Sequence, residues 1–116
     1  MTESIKKVIE RYRQGAIMHS DFSNTKKANK GADQVHACYN ILRETEEGRQ
    51  VIIAMMDDSD PGVRGWAAVH SLQWVPQRAR AVLEALSQSK DIPWQTSFDA
   101  EMTLKEYDKG NLKFDW

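Results

Sequence analysis

Apolar residues recur along this chain at three- and four-residue steps, the period of an α-helix. Ile5, Val8, Ile9, Tyr12 and Ala16 share one face of a segment spanning residues 3–20, with Lys6, Lys7, Glu10, Arg11 and Arg13 on the other. The run Ser20-Asp21-Phe22-Ser23-Asn24 is rich in capping residues. After it Ala28, Ala32, Val35, Tyr39 and Leu42 repeat with nearly heptad spacing, which predicts a second helix of about five turns. Gly31 lies on its flank. A helical glycine costs about 1 kcal/mol relative to alanine, so it is expected where another helix crosses closely.

Thr45-Glu46-Glu47-Gly48 interrupts the pattern, and Val51, Ile52, Met55 and Met56 then form a short apolar helix that stops in Asp57-Asp58-Ser59-Asp60. Asp60 followed by Pro61 is the strongest helix start in the chain. A carboxylate there accepts from the free N–H groups of the first turn, and proline at the first helical position forfeits no hydrogen bond. Val63, Trp66, Ala67, His70 and Trp74 are expected to continue that helix. Pro76 opens another with Ala79, Val82, Leu83 and Leu86 inward. Pro93 precedes a last helix containing Phe98, Met102 and Leu104, with Gly110 as its stop. The tail Asn111-Leu112-Lys113-Phe114-Asp115-Trp116 is apolar enough to dock back on the body.

No segment alternates as a strand does, and the implied connections are short. The expectation is an all-α fold of about six helices in three antiparallel hairpins, forming a single domain over residues 1–116. An apolar fraction of 41% beside 28% charged residues is that of a folded chain and excludes a disordered one. The net charge of −1 points to no global attraction for nucleic acid. Locally the balance is uneven: residues 1–43 carry eight Lys/Arg against four acids, and residues 44–60 carry six acids against Arg49 alone, an expected acidic patch. Cys38 is the one cysteine, and no Cys/His spacing resembles a zinc site, so a reducing, cytoplasmic setting without metal or cofactor is expected. Neither a secretion signal nor a membrane span is expected, because no apolar run is long enough.

The string Asp60-Pro61-Gly62-Val63-Arg64-Gly65-Trp66-Ala67-Ala68-Val69-His70-Ser71-Leu72 resembles the core of a HEAT repeat, which implies a HEAT/armadillo-like right-handed stack. In such repeats the arginine reaches an acid at the turn, here Asp60 or one from an adjacent helix pair. Together with Ala28-Asn29-Lys30-Gly31-Ala32-Asp33-Gln34-Val35-His36 and Ala100-Glu101-Met102-Thr103-Leu104-Lys105-Glu106-Tyr107-Asp108-Lys109-Gly110, it resembles a family of short bacterial HEAT-like proteins catalogued as a domain of unknown function. The resemblance covers roughly residues 5–112. Tyr107 stands where that family often has tryptophan, keeping an aromatic packing role. Some members are similar to immunity proteins of contact-dependent growth inhibition systems.

Candidate chemistry is sparse. His36, Asn29 and Asn40 can share a helix face, either as a structural hydrogen-bond network or as a binding site. Cys38 stands two residues from His36, on a different face, and reads as a buried apolar thiol. Glu101 has no second carboxylate at a fixed offset and reads as one half of an ion pair. No catalytic set emerges, and the expected role is binding. The resemblance implies an immunity protein that blocks the active site or substrate groove of a cognate toxin C-terminal domain, expected to be a nuclease. The acids Glu44, Glu46, Glu47, Asp57 and Asp58 would face its basic residues, and Trp66 and Trp74 would serve as desolvated anchors. The alternative is a nucleic-acid-binding module using Lys6, Lys7, Arg11, Arg13, Lys26, Lys27 and Lys30. A scaffold for a host peptide or a homodimer is a third reading, and oligomeric state stays open.

Overall fold

The computed structural model describes residues 2–114. Among them are six α-helices and no strand: α1 (Glu3–His19), α2 (Thr25–Leu42), α3 (Glu46–Ala54), α4 (Pro61–Ser71), α5 (Pro76–Gln88) and α6 (Trp94–Asp108). A single 3-10 turn, Met55–Asp57, extends α3. The expected all-α stack of helical hairpins is the fold observed. α1 packs along α2, α5 along α6, and α4 lies centrally against α1, α3, α5 and α6.

Local chemistry sets most of the boundaries. The Asn24 side chain caps α2 by accepting from Lys27 N, and Asp60 Oδ1 caps α4 by accepting from Val63 N at 3.1 Å. Thr45 Oγ1 likewise accepts from Gly48 N, so the segment expected to interrupt the pattern is instead the first turn of α3. Gly48 sits inside that turn because a Cβ there would collide with the Leu42 backbone carbonyl. At the other end of the chain, Gly110 takes φ +76. Its N–H bonds Tyr107 O and that of Asn111 bonds Glu106 O, the paired closure that a left-handed residue makes after a helix.

The helix crossing expected at Gly31 is real, and its partner is Gly15. A Cβ on Gly31 would stand 2.5 Å from Gly15 O and 2.6 Å from His19 N, so α1 and α2 touch backbone to backbone.

Two local expectations are corrected. α4 ends at Ser71, and Trp74 lies in the following turn, where its N–H bonds Ser71 O at 3.0 Å. The cause is Pro76: the residue before a proline is driven out of the helical region, and Val75 adopts φ −134, ψ 67. Arg64 does not reach an acid. Its Nη1 donates to the backbone carbonyls of Asp58 (3.0 Å) and Ser59 (3.1 Å), because the Asp58 carboxylate is occupied by Arg13 and that of Asp60 by the helix cap.

One apolar cluster draws on every helix, with Tyr12, Val35, Tyr39, Leu42, Ile52, Met56, Val63, Leu72, Leu83 and Ala100 among its members. Cys38 belongs to it, as expected of a small apolar thiol. The tail does dock as far as it is described: Leu112 and Phe114 pack on the cluster, while Asp115 and Trp116 lie outside the described residues. No helix among the described residues is long and apolar enough to cross a membrane.

Candidate functional site

An open cleft of about 440 Å³ lies between the helices, within the range of ligand-binding pockets. Three elements wall it. α4 contributes Gly62, Gly65, Trp66 and Val69; α6 contributes Thr96, Asp99, Met102, Thr103 and Glu106; the end of α1 and the loop after it contribute His19 and Phe22. His36 of α2 and Leu112 of the tail complete the lining. Gly62 lets α4 approach the end of α1 closely, since a Cβ there would collide with Ser20 Oγ, and Trp66 follows one turn on. On α6, Asp99, Met102 or Thr103, and Glu106 recur at helical spacing and present one face.

Trp66 is the centre of the lining. His19 meets its ring edge-on at a centroid distance of 5.3 Å, and His36 does so at 5.2 Å and 88°. His19 Nδ1 lies 3.2 Å from the carbonyl of Ala28. A carbonyl only accepts, so Nδ1 carries the hydrogen and, in the neutral ring, Nε2 is a lone-pair acceptor. Partial burial lowers the pKa of His36, offset by Asp33 and reinforced by His19. Burial also raises the Asp99 carboxyl above the ordinary carboxylate range, with His19 opposing the shift. The side chains of Asp99 and Glu106 make no hydrogen bond or ion pair among the described residues, and no Lys or Arg lines the cleft.

Next to the cleft, α6 turns large apolar side chains outward. Trp94 is 70% exposed, Phe98 50% and Met102 38%. They stand four residues apart and form a stripe along the helix. Trp94 and Phe98 meet edge to face at 6.3 Å, and Met102 belongs to both the stripe and the cleft wall.

A second polar constellation has a buried centre at Tyr12, Tyr39 and His70 and reaches outward through Gln73 and Arg43. Tyr12 Oη and His70 Nδ1 are 2.6 Å apart, and the Tyr39 ring stacks on His70 at 4.0 Å and 9°. Tyr39 Oη accepts from Gln73 Nε2 (2.7 Å) and donates to Phe114 O (3.0 Å), and Arg43 also donates to Phe114 O. Burial drives the His70 pKa well down, helped by His36, and drives the Tyr12 hydroxyl well up through burial and its neighbours Tyr39 and Cys38. Both groups are thereby held neutral.

The residues expected to bind a partner fall into two groups. Most of the acids are engaged within the chain: Asp57 with Arg78 (2.8 Å), Asp58 with Arg13 through two bonds, Glu46 with Arg49 and Gln50, and Glu44 with Arg43 (3.7 Å). Glu47 is exposed beside them. The acidic run is thus interleaved with arginine and forms no single-sign patch. Trp66 and Trp74 are both half-buried: Trp66 in the cleft wall and Trp74 packed near Tyr39 at 6.4 Å, so Trp94 is the most exposed tryptophan described. The candidate basic surface is also partly neutralised, with Lys6 on Glu3, Arg13 on Asp58 and Lys27 on Asp21. The His36 ring packs against Trp66. Glu101 pairs with Lys105 one turn on, at 3.3 Å. No group of three metal-ligating side chains occurs among the described residues.

Asp99, Glu106, His19 and the α6 stripe were not legible as a site. The spacing of 94, 98 and 102 is visible in the sequence, but it does not say which face of α6 is turned out. Comparison with protein-family models, with curated proteins and with solved structures finds no match.

Proposed function

We propose that this chain is a binding module whose docking surface is the exposed α6 stripe together with the adjoining cleft, and that its role is to neutralise a cognate toxin domain, a nuclease, by occluding the active site or substrate groove. The observation that carries the binding reading is the Trp94-Phe98-Met102 stripe. Large aromatic side chains exposed in a row on a small domain, next to a concavity, are what a desolvated interface core is built from. The toxin assignment draws on the three ordered sequence blocks that resemble a family of short HEAT-like proteins, some members of which are similar to immunity proteins.

A role without catalysis accords with the state of three side chains that could serve as nucleophiles. Ser20 Oγ donates to Ala16 O, Cys38 is buried with its thiol pKa pushed up, and Tyr12 is enclosed with His70. The test is co-purification with the C-terminal domain of a toxin encoded immediately upstream, coupled to protection of cells expressing it. Capture and protection, both lost in Trp94→Ser plus Phe98→Ser, are expected. A chain that neither captures the domain nor protects cells overturns the toxin assignment.

A further inference from the structure

The inner cleft differs chemically from the apolar stripe outside it. Among its polar groups are three acceptors that make no bond to the described residues: the carboxylates of Asp99 and Glu106, and Nε2 of His19 in the neutral ring. Its floor is the aromatic system of Trp66. Among the described residues no lysine or arginine contributes to the lining, so its charged groups apart from the two histidines are carboxylates. This sets it apart from the acidic run at residues 44–60, where arginines answer most carboxylates.

We infer that the cleft receives a single cationic side chain, arginine or lysine, from the partner protein. The inference rests on reading this cleft as part of a partner-binding surface, and it names the group that enters. Met102, Val69 and Leu112 offer apolar contact to a long aliphatic stem, while Asp99 and His19 stand where its head would arrive beside Trp66. A cation over an indole gains from the ring quadrupole, and a carboxylate already short of water binds a donor more strongly than an exposed one. An anion would meet two carboxylates and no lysine or arginine, and a purely aliphatic group would leave those carboxylates desolvated without a partner.

The experiment is an NMR titration of the full isotope-labelled chain with three acetylated, amidated tripeptides: Gly-Arg-Gly, Gly-Lys-Gly and Gly-norleucine-Gly. The reporters are the Trp66 indole N–H, assigned with Trp66→Phe, and the Thr103 and Leu112 amides. Saturable shifts are expected with a cationic peptide at concentrations up to roughly 20 mM, with norleucine about tenfold weaker or more. Asp99→Asn plus Glu106→Gln should weaken the cationic peptide by about fivefold or more while leaving the thermal melt in place. Tighter arginine assigns the guanidinium and tighter lysine the ammonium, and either supports the inference. Norleucine binding as tightly as both cations, an unaffected double variant, or no saturable shift from either cation overturns it. Cationic peptides that bind while no toxin is captured would overturn the toxin assignment alone; a captured toxin with no cation binding would overturn this inference alone.

Discussion

The hydroxyl of Tyr12 and Nδ1 of His70 lie 2.6 Å apart with both side chains fully buried, joining α1 to the last turn of α4 across 58 residues of sequence. This bond is a buried polar tie between the first hairpin and the middle of the stack. Tyr12→Phe keeps the ring and its packing but takes the hydroxyl from Nδ1. The expected cost is about 1–3 kcal/mol, the range for depriving a buried polar group of its partner, and it is read as a shift of the urea midpoint with unchanged slope.

His70 also makes stability depend on pH. Burial holds its folded pKa well below the ordinary 6.5, so at pH values between the two the unfolded chain binds a proton that the folded chain does not. The stabilising term is fully present above about 6.5 and declines as pH falls through the window down to the depressed folded value. His36, lowered by the same cause, acts in the same direction. The melting temperature should fall between pH 6.5 and 5, and His70→Gln should flatten that slope whatever it does to stability at neutral pH. Parallel slopes in the two proteins would contradict this assignment.

Glycine substitutions should split sharply by position. At Gly31 an added methyl group meets the backbone of α1, which has no rotamer with which to yield, so Gly31→Ala is expected to destabilise by about 1–3 kcal/mol. At Gly65 the nearest obstacle to a Cβ is Leu86 Cδ1 at 3.8 Å, ordinary contact, and Gly65→Ala should stabilise by roughly 0.5–1 kcal/mol through helix propensity. Thermal denaturation of the two variants side by side distinguishes them.

The α4 cap supplies a smaller increment. Asp60→Ala removes the acceptor for Val63 N and should cost about 1 kcal/mol, a lowering of Tm by roughly 4 °C. Asp60→Asn retains the acceptor oxygen and should recover most of the loss.

Exposed residues of α6 are expected to matter for binding and little for folding. Phe98→Ser should alter stability by less than about 0.5 kcal/mol, since the ring is half exposed, while weakening capture of the partner by about tenfold or more. A variant that binds normally would move the interface away from this helix.

The helices and several of their ends were readable in the sequence because each is written locally: Asn24 and Asp60 as caps, Pro61 and Pro76 as starts, Gly110 as a stop, Gly31 as a crossing; the start of α3 and the end of α4 were not. The last helix resisted for a physical reason. It turns Thr96 and Ala100 inward, small enough for close approach to its neighbours, and is left with Trp94, Phe98 and Met102 outside. Hydrophobic periodicity marks the larger residues, and here the larger residues are not the core. The cleft was hidden because its walls come from positions far apart in sequence, His19, Trp66 and Asp99, which no local pattern links. The acid run misled in the opposite sense, since the arginines that answer it are supplied partly by other helices, Arg13 from α1 and Arg78 from α5.

The turn at Gly110 sends the chain from the end of α6 back across the molecule, laying Leu112 in the cleft and handing the Phe114 carbonyl to Tyr39 and Arg43 of the first hairpin. A stack of hairpins joined only in series can flex like a spring, each pair sliding on the next. Here the last helix is fastened to the first hairpin, so such breathing requires the fastening to break. A guest entering the cleft therefore meets walls already held at their working separation, and little of its binding energy is consumed in stiffening the host.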